Sequence, residues 1–250
     1  MTDIILCGCC GKMGSVITSL CESDADVNIV AGVDAFDSGK APYPVYPSFD
    51  ALDIKADVII DFSNPAVLDD MLAYAKHTGT PVVVATTGYD DEQIKKIHDA
   101  SRQIGIFFTF NMSLGINLMS ALAKTATKVL GGSFDIEIIE KHHNQKIDAP
   151  SGTAIMLANA VSEELEHKPL YEYDRHSKRE KRPKNEIGIH SVRGGTIVGE
   201  HEIIFAGTDE IVSIKHQAMS KKIFAGGAIN AAKFLKGKQS GMYSMEDIIA

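Results

Sequence analysis

Between the β-prone run Ile4–Cys7 and an amphipathic helical pattern reaching to about Cys21 stands the turn Gly8-Cys9-Cys10-Gly11-Lys12-Met13-Gly14. Glycines there let the chain turn tightly and bring its backbone close to a bound pyrophosphate, while the helix N-terminus adds unpaired amides and a positive dipole end. A second β-prone run, Val27–Val33, leads into Asp34. That is about twenty residues on, where a dinucleotide-binding fold places the acid that accepts from the adenosine ribose. Read alone, Asp34 is a loop-initiating residue at a strand end. Read with the glycine turn, it predicts a Rossmann-type α/β fold, a doubly wound parallel sheet holding a dinucleotide.

The alternation of strand and helix continues. Ala35–Ala51 is a proline-containing loop, Ala56–Phe62 a buried strand, and Ser63-Asn64-Pro65 opens a helix to about His77. Pro81–Ala85 is a strand closed by Thr86-Thr87-Gly88, a helix covers Asp91–Gln103, and the strand Gly105–Phe110 ends in Asn111-Met112-Ser113. After residue 113 the pattern changes. Helices over Gly115–Leu130 and Gly152–Glu166 flank the apolar run Phe134–Ile139, and three alternating runs follow at Ile187–Val192, Ile197–Phe205 and Glu210–His216. Period-two alternation predicts a half-buried, antiparallel or mixed sheet in a second, α+β domain. The boundaries are therefore 1–113 for the dinucleotide-binding domain and 114–220 for the second. The Ala- and Gly-rich helix Lys221–Leu235 packs back, so that 221–250 completes the first.

A net charge of −8 argues against general nucleic-acid binding, which needs a basic face. The one basic stretch, Arg175–Lys184, has no interleaved aromatics and reads as a solvated loop. No apolar run is long enough to span a bilayer and no basic leader precedes the first strand, so a cytoplasmic protein is expected. The four cysteines, Cys7, Cys9, Cys10 and Cys21, all lie in the first 21 residues. Cys7 and Cys10 form a C-x-x-C, but nothing nearby completes a tetrahedral site, so the expectation is buried reduced thiols and no metal.

The stretch Glu140–Ala154, E-K-H-H-N-Q-K-I-D-A-P-S-G-T-A, joins a strand end to a helix N-terminus. It offers His142, His143, Lys146 and Asp148, then Ser151-Gly152-Thr153, whose amides can bind an anion. Pro150 and a Ser151 cap stiffen it. Any one of these residues alone reads as part of a solvated polar loop. Together they suit a carboxylated substrate that also needs a proton.

This stretch resembles the signature of the 4-hydroxy-tetrahydrodipicolinate reductase (dihydrodipicolinate reductase) family. Further motifs agree in order along nearly the whole chain: G-x-x-G-x-M-G at Gly8–Gly14, D-F-S at Asp61–Ser63, T-T-G at Thr86–Gly88, N-M-S-L-G-I-N at Asn111–Asn117, and S-V-R-G-G-x-I-V-G-E-H at Ser191–His201. The resemblance implies NADH- or NADPH-dependent reduction of a small dicarboxylic cyclic imine in the diaminopimelate route to lysine, by a homotetramer. It implies His142 as proton donor and Lys146 as the second catalytic group. His143, Gly152 and Thr153, with Ser151 in the same turn, hold substrate carboxylates. Gly8, Cys9, Cys10, Gly11, Lys12 and Met13 form the cofactor turn, Asp34 is the ribose acid, and Ala85, Thr86 and Thr87 with Thr109, Phe110, Asn111 and Met112 lie near the nicotinamide. Two departures bear on the cofactor: Cys9 and Cys10 stand where many members have Gly or Ala, and Ala35 stands where some have an Arg suited to a 2′-phosphate. A different Rossmann amino- or keto-acid dehydrogenase, or a non-catalytic dinucleotide sensor, would account for the first domain but not for the His-His-Lys loop.

Overall fold

A computed structural model describes residues 1–109 and 111–249; Phe110, expected near the nicotinamide, lies outside the described residues. In chain order the elements are β1 (Thr2–Cys7), α1 (Lys12–Cys21), β2 (Val27–Val33), β3 (Val45–Tyr46), β4 (Val58–Asp61), α2 (Leu68–Thr78), β5 (Val82–Val84), α3 (Asp91–Ala100) and β6 (Gly105–Phe108). There follow α4 (Leu114–Leu130), β7 (Asp135–His142), α5 (Gly152–Ser162), β8 (Leu170–Glu172), β9 (Glu186–Arg193), β10 (Gly199–Ala206) and β11 (Ile211–Ala218), then α6 (Lys222–Leu235), β12 (Gly241–Tyr243) and α7 (Glu246–Ile249). The chain divides into two compact units, Met1–Ser113 with Lys222–Ala250, and Leu114–Lys221.

The first unit is the doubly wound parallel sheet expected from the glycine turn, in the order β12-β6-β5-β4-β1-β2-β3. Its central strands are uninterrupted apolar runs because helices cover both faces. Side-chain alternation sorts them. Ile4, Leu6, Val58, Ile60, Val83 and Phe107 face a core shared with Ile17 of α1 and the alanines of α6. Ile5, Ile59, Val82, Val84 and Ile106 face Leu68, Met71 and Ala75 of α2 and Ile97 of α3. The small residues of α6 serve close approach: a Cβ on Gly227 would sit 1.7 Å from the carbonyl oxygen of Met112. Strand order reverses at β1, whose Cys7 pairs with Val33 on one side and Asp61 on the other. A crevice outside the carboxyl ends of strands at such a reversal is where doubly wound sheets bind ligands. The strands β3 and β12, two and three residues long, lie in stretches that read as loop and tail; they exist because the sheet edges supply partners, not because of propensity.

The second unit is a five-stranded sheet, β11-β10-β7-β9-β8. Pairing of β10 with β11 and with β7 is antiparallel, as the alternation predicts. The pairing of β9 differs from a plain antiparallel sheet: β9 lies parallel to β7, which is inserted between β9 and β10. This gives the inward row of β7 a buried neighbour on each side, Ile138 between Ile189 and Ile203. Helices α4 and α5 close that face around Ile116, Met119, Ala123, Leu157, Val161 and Phe205. The basic stretch 175–184 is not simply solvated. Arg175 pairs with Glu186 at 2.6 Å, and Arg182 with Asp135 at 2.8 Å and Glu137 at 2.9 Å, so planar guanidinium donors fasten it to β7 and β9. Among the described residues no helix is long and apolar enough to cross a membrane.

Candidate active site

In the first unit the glycine turn has the shape a dinucleotide requires. Gly8 has φ +78°, and a Cβ there would lie 2.4 Å from the carbonyl oxygen of Phe62. A Cβ on Gly14 would lie 2.4 Å from the carbonyl oxygens of Gly8 and Cys9. Gly11 is the N-cap of α1 and provides no side chain to cap it, and no acid stands in the first turn. The helix start is thus left open to a phosphate. Lys12 is exposed at the same helix start. Asp34 closes on the turn from the end of β2: its Oδ2 accepts from the Cys10 amide at 3.0 Å and its Oδ1 from the Phe36 amide at 3.2 Å. These residues fit a pyrophosphate and an adenosine ribose.

At the same sheet edge, the D-F-S and T-T-G motifs are one hydrogen-bonded assembly. The Ser63 amide donates to Asp61 at 3.1 Å and to the Thr86 hydroxyl at 2.8 Å, and the Tyr89 hydroxyl donates to Asp61 at 3.0 Å. The Ala85 amide donates to the Asp61 carbonyl. Past β6 the chain is stiffened locally, with the Asn111 side chain accepting from Ser113 N at 2.8 Å and Met112 buried.

The sequence expects buried free thiols, and Cys10 departs from that in being only half-buried. All four are free, and Cys7, Cys9 and Cys21 are buried. The pair brought together is Cys9 with Cys10, sulfurs 3.9 Å apart, rather than Cys7 with Cys10. Asp34 gathers with them, one ligand atom from each of the three lying within 4.8 Å of the others. Burial pushes the Cys9 thiol up to about 12.

In the second unit, period two along β7 explains the polar site. Ile136, Ile138 and Glu140 fall on the helix-facing side, and His142 is next in that row. Glu140 is fully buried at the end of an apolar row. Its Oε2 lies 2.6 Å from His142 Nδ1 and 2.7 Å from Arg193, and its Oε1 accepts from Arg193 at 2.7 Å and from the Ser151 amide at 3.1 Å. Burial would raise this carboxyl, but hydrogen bonds from Arg193, His142 and Ser191 outweigh it and bring it down to about 2. Directly across on β10, His201 pairs in register with Glu140, and its Nε2 lies 3.1 Å from the Ser151 hydroxyl. Burial, then the neighbouring His142, lower His201 to about 4.

The loop beyond β7 places the remaining candidates. Lys146 reaches Asp148 at 2.7 Å, its amide donates to the His143 carbonyl, and His143 itself is half-buried. The Ala149–Pro150 peptide is cis. Ser151 caps α5, its hydroxyl accepting from Ala154 N at 3.2 Å, so both its amide and its hydroxyl are engaged within the unit. Gly152 is exposed and Thr153 half-buried at the open end of the helix. His142, His143, Lys146, Gly152 and Thr153 therefore gather where β7 ends and α5 begins. Three neighbours carried no role in the sequence reading: Glu140, Arg193 and His201. The signal for Glu140 was present in its two-residue spacing from His142; that for Arg193 and His201 lay fifty residues away and needed the strand register.

Acid should destabilise the protein in two overlapping windows. His201 has its ordinary value of 6.5 when unfolded and about 4 when folded. The unfolded chain binds its proton first, so stability is whole above pH 6.5 and declines toward pH 4. Glu140 goes from 4.5 unfolded to about 2 folded, so its contribution is present above pH 4.5 and disappears toward pH 2. Thermal midpoints measured against pH should fall through both windows, and His201→Gln should flatten the upper one. A midpoint that holds steady through the upper window in the unaltered protein contradicts this.

Two family models match the chain: "Dihydrodipicolinate reductase, N-terminus" over residues 2–112 and "Dihydrodipicolinate reductase, C-terminus" over residues 115–249. The 4-hydroxy-tetrahydrodipicolinate reductase of Clostridium novyi (strain NT) is 47% identical over 249 residues, covering 100% of this chain and 98% of the relative. That of Caldanaerobacter subterraneus subsp. tengcongensis is 49% identical over 249 residues with the same coverage. Among solved structures, a dipicolinate-bound dihydrodipicolinate reductase from Paenisporosarcina sp. TG-14 superposes with a TM-score of 0.83 at 26% identity, covering 99% of each chain. A probable dehydrogenase from Thermotoga maritima shares the fold, with a TM-score of 0.65 at 10% identity over 98% of this chain and 92% of the other. The chain belongs to the dihydrodipicolinate reductase family.

Proposed function

We propose that the protein uses NADH or NADPH to reduce 4-hydroxy-tetrahydrodipicolinate, by way of dihydrodipicolinate, to tetrahydrodipicolinate in the diaminopimelate route to lysine. Family membership along the whole chain supports the reaction. The observation that carries the residue assignment is the gathering of two imidazoles, a lysine and a helix N-terminus at the end of β7.

Once bound, a reduced nicotinamide would supply the hydride for C4 of the cyclic imine. Gly8, Gly11 and the start of α1 hold the pyrophosphate, with Cys9, Cys10, Lys12 and Met13 in the same turn. Asp34, which accepts from the Cys10 and Phe36 amides, would accept from the ribose hydroxyls. Ala85–Thr87, which follow the carboxyl end of β5, and Thr109, Asn111 and Met112, which follow that of β6, would border the nicotinamide. The substrate's two carboxylates need cationic and amide donors, supplied by Lys146, His143 and the first turn of α5 at Gly152 and Thr153. Ser151 supports that turn through its cap. Electron density left at the carbon next to the reduced centre is quenched by a proton from His142. A coupled assay, in which a dihydrodipicolinate synthase makes the labile substrate in place, tests the reading. NAD(P)H oxidation that depends on the synthase supports it; cofactor binding without such oxidation sinks it.

NADH should serve at least as well as NADPH. Asp34 accepts from ribose hydroxyls and repels a 2′-phosphate, Ala35 adds no compensating cation, and Lys12 offsets this only in part. The ratio of kcat/KM for the two cofactors checks it, and a preference for NADPH beyond about tenfold, roughly 1.4 kcal/mol, contradicts it.

The second unit is also the oligomerisation unit of a homotetramer. Leu114, Leu118 and Leu122 recur on one face of α4 and are 42%, 45% and 48% exposed, an apolar stripe of the kind another copy of the chain covers. Light scattering should then give about four times the 27.0 kDa chain mass. The cytoplasm is the compartment in which four free cysteines stay reduced.

A further inference from the structure

Besides the Ser191 side chain, four nitrogens meet the two oxygens of the Glu140 carboxylate, and three of these have no choice of role. Both Arg193 nitrogens and the Ser151 amide can only donate. An ionised carboxylate only accepts, so the fourth partner, His142 Nδ1 at 2.6 Å, must carry its proton on that nitrogen. The neutral ring then keeps its lone pair on Nε2, and the protonated ring has Nε2–H as its free donor. Space around Nε2 is set by a glycine: a Cβ on Gly199, the inward residue of β10 nearest the ring, would lie 3.1 Å from it. The ring is held on another side by His201, edge to face at 5.2 Å between centroids. The same carboxylate, through the Ser151 amide, also fixes the start of α5.

A purely structural ion pair would be complete with Arg193 and Ser151 alone. Burying a carboxylate in an apolar row is costly even when it is paired, and the spacing that places His142 two residues on, in the same row, adds an orienting contact to the pair. We propose that Glu140 is a positioning residue for proton transfer: it locks the proton of neutral His142 on Nδ1, so that Nε2 is the atom that delivers the proton to the substrate and is reprotonated afterwards. This rests on the reading of His142 as the proton donor.

Nitrogen-15 NMR on histidine-labelled protein reads the tautomer directly, through couplings from the ring-carbon protons, at a pH where His142 is neutral. The unaltered protein should show His142 as the Nδ1–H form; finding Nε2–H overturns the proposal with no variant needed. In Glu140→Gln the oxygen is drawn to Arg193 and Ser151, and the amide group then donates to Nδ1, so the proton should move to Nε2. With it kcat should fall about 10- to 100-fold, part of what a general acid contributes, while substrate KM changes little and NADH binding is unchanged. Glu140→Asp, which keeps the charge, should keep the Nδ1–H form and recover part of kcat. A Glu140→Gln protein that keeps the Nδ1–H form, or keeps kcat within about twofold, overturns the proposal. These outcomes are distinct from failure of the donor assignment, which shows as near-normal kcat in His142→Gln and leaves the tautomer measurement untouched.

Discussion

His142→Gln is expected to lower kcat by about two to four orders of magnitude with little change in substrate KM, the scale of general acid catalysis. Glutamine keeps bulk and polarity at the end of β7 but cannot hold a transferable proton. The loss is therefore confined to the transition state, where kcat and kcat/KM fall together. Lys146 and His143 should fail differently. Lys146 stands 2.7 Å from Asp148, and if it serves the substrate with both charge and donors, Lys146→Met should lower kcat and also raise KM. His143→Gln should mainly raise KM, because a carboxylate contact is present in ground and transition states alike. All three variants should bind NADH normally, because the glycine turn and Asp34 belong to the other unit. Steady-state kinetics with cofactor titration check the set. A His142→Gln enzyme with near-normal kcat would move the acid role to Lys146 or to a water.

Gly14→Ala should be strongly damaging although it adds a single methyl to the cofactor turn. The added carbon would meet two backbone carbonyl oxygens at 2.4 Å, and backbone cannot rotate away as a flexible side chain does. Either α1 or the turn Gly8–Gly11 must shift, at a cost of about 1–3 kcal/mol for an overpacked site. A shifted turn no longer aims its amides at the pyrophosphate, so NADH should bind more than about tenfold weaker, equivalent to 1.4 kcal/mol. Gly11→Ala is the control: its Cβ would meet only the Gly8 carbonyl oxygen, at 3.2 Å. It should leave the melting temperature close to that of the unaltered protein. Equal losses in the two variants would show that close packing of α1 against the turn is not what Gly14 provides.

The two candidate stretches, one in each unit, were legible in the chain for the same reason: each is local. The glycine turn and its helix occupy consecutive residues, and the loop from His142 to Thr153 is a single stretch between a strand and a helix. Asp34 was readable because the crossover from β1 to β2 has a nearly fixed length in this fold. Short edge strands were not, since the pairs β2–β3 and β6–β12 rest on partners already in place. Nor was the fastening of the basic stretch by Arg175 and Arg182, which depends on acids up to 47 residues away in the chain.

Strand-and-helix alternation and the residue types of the polar loop are written in the chain, because period and spacing are local properties of the backbone; the sequence ends the strand at Ile139, and only the fold carries β7 on to His142 and turns Glu140 inward. Tertiary structure decided which groups meet. The register of β7 against β9 and β10 brings Arg193 and His201 beside Glu140, and insertion of β7 between them, parallel to β9 and antiparallel to β10, is what makes both contacts possible at once. Hydrogen bonding between strands sets that register from the burial of whole rows, so no single residue in the chain announces it.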